Sequence, residues 1–92
     1  MSFETVVLGP EYDELLRRIL REALLELGAQ SVRHDWGLGG SQELETLEVE
    51  IDGHPLRVEA ETYMGVSLTG PPDLVRKVQR IVNERRAAAV SP

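Results

Sequence analysis

Two histidines stand beside acids in this chain: Asp35 follows His34, and Asp52 lies two residues before His54. Imidazole and carboxylate together are the donor set of zinc and related divalent ions. His34, His54 and Asp52 are therefore the residues most like a metal site, yet their spacing works against one. In an alternating strand His34 and Asp35 point to opposite faces. Bringing His34 beside His54 would need two strands in one particular register. The expectation is that His34 sits at the rim of a core beside Trp36, that His54 is solvated, and that no metal is bound.

Other chemistries lack a frame. Gly37-Leu38-Gly39-Gly40-Ser41 looks like a phosphate loop, but such loops open a helix and here a strand pattern follows without a lysine. Thr69-Gly70-Pro71-Pro72 does precede a helix, but its two prolines remove two backbone donors. Ser31, Ser41 and Ser67 are present, but nothing marks any of them as activated. Paired glutamates abound, but an acid pair that cleaves a glycosidic bond also works in a deep cleft. No catalytic residue and no cofactor is assigned, and the reading leans against an enzyme.

The absence of cysteine rules out disulfides and thiolate metal sites and permits a reducing compartment. No apolar run approaches the roughly 20 residues of a membrane span, and Met1-Ser2-Phe3-Glu4 has neither the basic flank nor the apolar stretch of a signal peptide. A cytoplasmic protein with no membrane partner is expected. The net charge of −6 is unevenly placed: −3 in residues 1–30, −6 in 31–70 and +3 in 71–92. Phosphate contacts supply most nucleic-acid affinity, and only the last helix is basic. Aromatic side chains make up just 4% of the chain, too few for a base-stacking platform. Nucleic acid is not the expected partner.

Residues 1–92 suit one domain, with a core over about 3–86 and a tail at 87–92 expected to fray. Phe3 to Leu8 reads as an edge strand, and Pro10 as the first turn of a helix whose stripe is Tyr12, Leu15, Leu16, Ile19, Leu20, Ala23, Leu24 and Leu27. Gly28 suits a left-handed cap. Gln30 to Leu38 alternates, with Val32, His34, Trp36 and Leu38 on one face, and the glycines after Trp36 form the following loop.

Leu47, Val49 and Ile51, the Asp52-Gly53 turn, then Leu56, Val58 and Ala60 form a hairpin. A type I′ turn there pairs Ile51 with His54 and places every apolar side chain on one face. The alternation continues through Met64, Val66 and Leu68. It fits either one long strand bent at Gly65 or a second hairpin with an odd loop at Glu61-Thr62-Tyr63. Strand lengths favour the hairpin. Leu74, Val75, Val78, Ile81 and Val82 then mark a second amphipathic helix. The fold class is α+β, in the order β-α-β-β-β-(β)-α. It reads as a two-layer sandwich, mainly an antiparallel meander sheet with two helices on one face.

No family motif is present. The helix followed by three central strands resembles the double-stranded-RNA-binding domain in outline, but only Arg76 and Lys77 supply its basic second-helix start, and the sheet is acidic. The outline also resembles small acidic secretion chaperones, which act as dimers.

The leading expectation is a non-catalytic protein-interaction or adaptor module that forms a homodimer or binds another protein. Trp36, Tyr63, Arg76 and Arg80 are the expected contact residues. Glu48, Glu50, Glu59 and Glu61, opposed by Arg57, form an acidic docking face. The alternative is a small-ligand sensor or minor enzyme with its pocket between helices and sheet near His34 and Trp36.

Overall fold

The structure, a computed structural model, describes residues 2–39, 42–62 and 64–90, with backbone alone for 35–39, 42, 43 and 90. It contains β1 (Glu4–Gly9), α1 (Glu14–Glu26), β2 (Gln30–Gly39), β3 (Gln42–Ile51), β4 (His54–Glu61), β5 (Gly65–Gly70) and α2 (Pro72–Val90). The strands form one antiparallel sheet in the order β1-β5-β4-β3-β2. The α+β class and the expected element order are therefore present, with the optional strand realised as β5.

Two turns set the register of the central strands. Asp52 and Gly53 take φ of 53° and 78°, the type I′ geometry, and Ile51 pairs His54, Val49 pairs Leu56 and Leu47 pairs Val58. The second turn makes a hairpin, not one bent strand: Glu61 pairs Gly65 across residues 62–64, and the Met64 N–H donates to the Glu61 carbonyl at 3.0 Å. The loop begins one residue later than expected, and its turn signal is Gly65 at φ 89°. Because the loop is odd, Val58 meets Leu68 and Ala60 meets Val66, and the apolar face continues.

That face and both helical stripes share one core. Leu16, Leu56, Val66, Leu68, Val75, Val78 and Val82 are its largest fully buried side chains. α2 packs on β1 and β5, while α1 packs beside α2 toward β4 and β3. The ends of α1 are closed locally. The Asp13 carboxylate accepts the Leu16 N–H at 3.0 Å, and at the other end Gly28 and Ala29 donate to the carbonyls of Leu25 and Leu24, with Gly28 at φ 78°.

Arg86 joins three elements. It donates to the Leu8 carbonyl at 3.1 Å and lies 3.6 Å from the same Asp13 carboxylate. Arg85 pairs with Glu26 and ties α2 to the far end of α1. Among the described residues, no helix is long and apolar enough to cross a membrane.

Five local expectations are corrected. The first helix starts at Glu14, not at Pro10, because Asp13 is the better cap. Tyr12, outside that start, is 78% exposed and leaves the stripe. Val32 lies at a β-bulge between Ser31 and Arg33 and is 60% exposed, so the inward alternation of β2 resumes only at His34. Gly37 to Gly39 continue β2 and are not a loop, while residues 40 and 41 lie outside the described residues. Finally, α2 runs through Ala87 to Val90, where a frayed tail was expected, since three alanines favour helix.

Two glycines separate strain from crowding. At Gly28 a Cβ would meet nothing within 4 Å, whereas at Gly65 it would lie 2.6 Å from the Gly9 carbonyl oxygen. Urea denaturation should show Gly28→Ala losing about 1 kcal/mol. Gly65→Ala should lose at least about 2 kcal/mol, because the clash adds to the strain.

Candidate functional site

The inner face of the sheet is not covered to its end. In β3 the residues of that face are Glu45, Leu47, Val49 and Ile51: the last two are buried, while Glu45 and Leu47 are half-buried. Beyond them β2 is the edge strand, and Ser31 to His34 are exposed. α1 overhangs this margin and leaves a cleft of about 380 Å³. Leu20 and Leu24 of α1, with Leu47, Val58, Ala60 and Val66 of the sheet, make its apolar surface. Arg17, Arg21, His34 and Glu45 make its polar rim.

The rim is organised around Glu45. One carboxylate oxygen pairs with the Arg17 guanidinium, and the other lies 3.2 Å from His34 Nε2. The carboxylate thus spans helix, central strand and edge strand. Alternation explains its place. Counting back from Ile51, Val49 and Leu47 by twos puts Glu45 on the apolar face, where an uncovered carboxylate meets the helix only through a long cation. Arg17 and Arg21 are one turn apart, beside Leu20 and Leu24, at the margin of the α1 stripe. Arg21 is exposed, and no carboxylate pairs with it among the described residues.

Sequence reasoning singled out His34 and missed Arg17, Arg21 and Glu45. Extending the β3 alternation two residues toward its start would have found Glu45. Of the expected pocket residues, His34 does line the cleft. The Trp36 backbone pairs with Glu45 across the strands, and its side chain lies outside the described residues.

The metal constellation does not assemble. His34 pairs with Leu47 and His54 with Ile51, four residues apart along β3, which is roughly 13 Å. Among the described residues no three histidines and acids converge on an ion site.

The expected contact and docking residues fall on separate surfaces. Arg76 turns toward β1 and lies 3.3 Å from the Glu4 carboxylate. Arg80 is exposed on α2, and Tyr63 lies outside the described residues. Glu48, Glu50, Glu59 and Glu61 share the outer, helix-free face. There Arg57 donates to Glu48 at 3.0 and 3.2 Å, Glu59 stands between Thr46 and Ser67, and Arg33 pairs across from Glu48. The acidic face is therefore partly neutralised at Glu48, while Glu50 is exposed.

A double-mutant cycle on Arg17→Ala and Glu45→Ala should give a coupling of about 0.5–1 kcal/mol in urea denaturation, the range for a part-exposed ion pair. It should shrink in high salt. A coupling near zero would mean that the pair does not hold α1 to β3. Comparison of the chain with protein-family models, with curated proteins and with solved structures finds no match.

Proposed function

We propose that this chain is a non-catalytic interaction module that self-associates along the β1 edge of its sheet. The observation that carries this reading is the contrast between the two sheet edges. β2 has the devices that discourage edge pairing: a bulge at Val32 and the successive polar residues Arg33, His34 and Asp35. β1 also shifts register, at Leu8 near its end, but the run from Glu4 to Val7 before it pairs without interruption and its one strand charge is turned toward Arg76. Large apolar side chains stand exposed beside it, Phe3 at 57%, Val7 at 61% and Met64 at 65%. Backbone groups along an edge are unpaired on one side, and a second copy of the same edge satisfies them about a two-fold axis.

The pairing is short. It buries less than the roughly 1,200–2,000 Å² of a stable complex, so a weak, concentration-dependent dimer is expected. Joining two sheets edge to edge would also merge their outer faces. Glu48, Glu50, Glu59 and Glu61 of both copies would then form one broad acidic surface suited to a basic protein partner.

Sedimentation equilibrium at high micromolar concentration tests the reading. The unaltered protein should dimerise, Val7→Lys should be monomeric, and Val32→Lys should dimerise as before. A monomer at all concentrations, or a dimer broken by Val32→Lys alone, would overturn the β1 assignment.

A further inference from the structure

We propose that the cleft under α1 is a binding site for a small amphipathic monocarboxylate. The apolar body would lie on Leu20, Leu24, Leu47 and Ala60, and the anion would meet Arg21. This inference is independent of self-association, because among the described residues none of β1 lines the cleft.

Size, surface and charge each narrow the occupant. A cleft of about 380 Å³ sits at the small end of the range for small-molecule sites, roughly 300–1,000 Å³. Its floor is hydrocarbon from six side chains, of which Leu47 and Ala60 are only part-buried by the protein itself. Covering them would remove apolar surface from water, the dominant favourable term in such binding. The rim then selects the polar end. Glu45 is already engaged by Arg17 and His34, which leaves Arg21 as the guanidinium without a carboxylate among the described residues.

Among the described residues the rim holds two arginines against one glutamate and is positive, in a chain whose net charge is −6. A cation is repelled there. A phosphate dianion suits it poorly, because Glu45 stands on the same rim. A single carboxylate matches the planar guanidinium fork and carries one charge. Arg17 and His34, held by Glu45, frame the opening.

The probe is 1-naphthylacetate, with the neutral isostere 1-naphthylacetamide as its partner, each titrated into ¹⁵N-labelled protein and followed by amide shifts. Both should move the amides of Leu20, Arg21, Leu24, Leu47 and Ala60, and the carboxylate should bind about three- to fivefold more tightly, as one part-exposed charge pair allows. Arg21→Gln should abolish that preference and keep the binding of the amide. Ala60→Phe should fill the cleft and remove both, with shifts elsewhere in the spectrum reporting an intact fold. Shifts absent for both probes, shifts scattered over other surfaces, or a charge preference that survives Arg21→Gln would each overturn the proposal.

Discussion

Strand alternation is the constraint on which the rest of this structure depends. A side chain one residue out of phase points to the other face of the sheet. Three central strands must therefore turn twice without losing phase. The type I′ turn at Asp52-Gly53 and the three-residue loop before Gly65 meet that condition by different means: one uses two left-handed residues, the other a single left-handed glycine at the strand start. A one-residue slip at the first turn would point Leu56 and Val58 at water, and one at the second would do the same to Val66 and Leu68. The helical stripes would then have nothing to cover.

The helices cover this face unevenly, and the surface chemistry follows from that. α2 lies over β1 and β5, where Arg76 and Arg86 hold it to the strand through Glu4 and the Leu8 carbonyl. α1 lies inboard, so the cover ends over β3, and β2 extends past it. Glu45 occupies the seam. It lies on the apolar face by phase, yet it sits where that face begins to meet solvent. A carboxylate is tolerated there because Arg17 reaches it from α1, and His34 stands beside it on the edge strand.

The outer face has no cover and is correspondingly polar. Thr5 and Thr69 bond through their hydroxyls at 2.9 Å, and the glutamates of β3 and β4 flank Arg57. Cross-strand pairing of Glu48 with Arg57 relieves one contact among like charges and leaves the surface acidic. Both edge strands shift register once, but they are otherwise unlike: β2 is polar, while β1 is short and bordered by exposed apolar groups.

Much of this was legible in the residues. Asp52-Gly53 between alternating apolar runs determines a turn type, a register and an inward face together, and Gly28 after a helical stripe determines the end of α1. These are local rules in which one residue type meets one backbone need. Less was legible where neighbours compete. Pro10 and Asp13 both suit a helix start, and capping by Asp13 prevailed, with Arg86 beside it from a helix more than 70 residues away. The second hairpin was ambiguous because its turn signal sits in the strand, at Gly65.

The sequence by itself determined two helices, a meander and one apolar face, since periodicity and turn chemistry act over a few residues. Only the tertiary structure decided that β1 joins β5, that Val32 bulges outward, and that the cover of α1 stops short of Glu45. Those outcomes depend on how elements distant in sequence share one core of limited area. For that reason the cleft beside His34 gained Arg17, Arg21 and Glu45, while His54, equally prominent in the sequence, came to lie elsewhere.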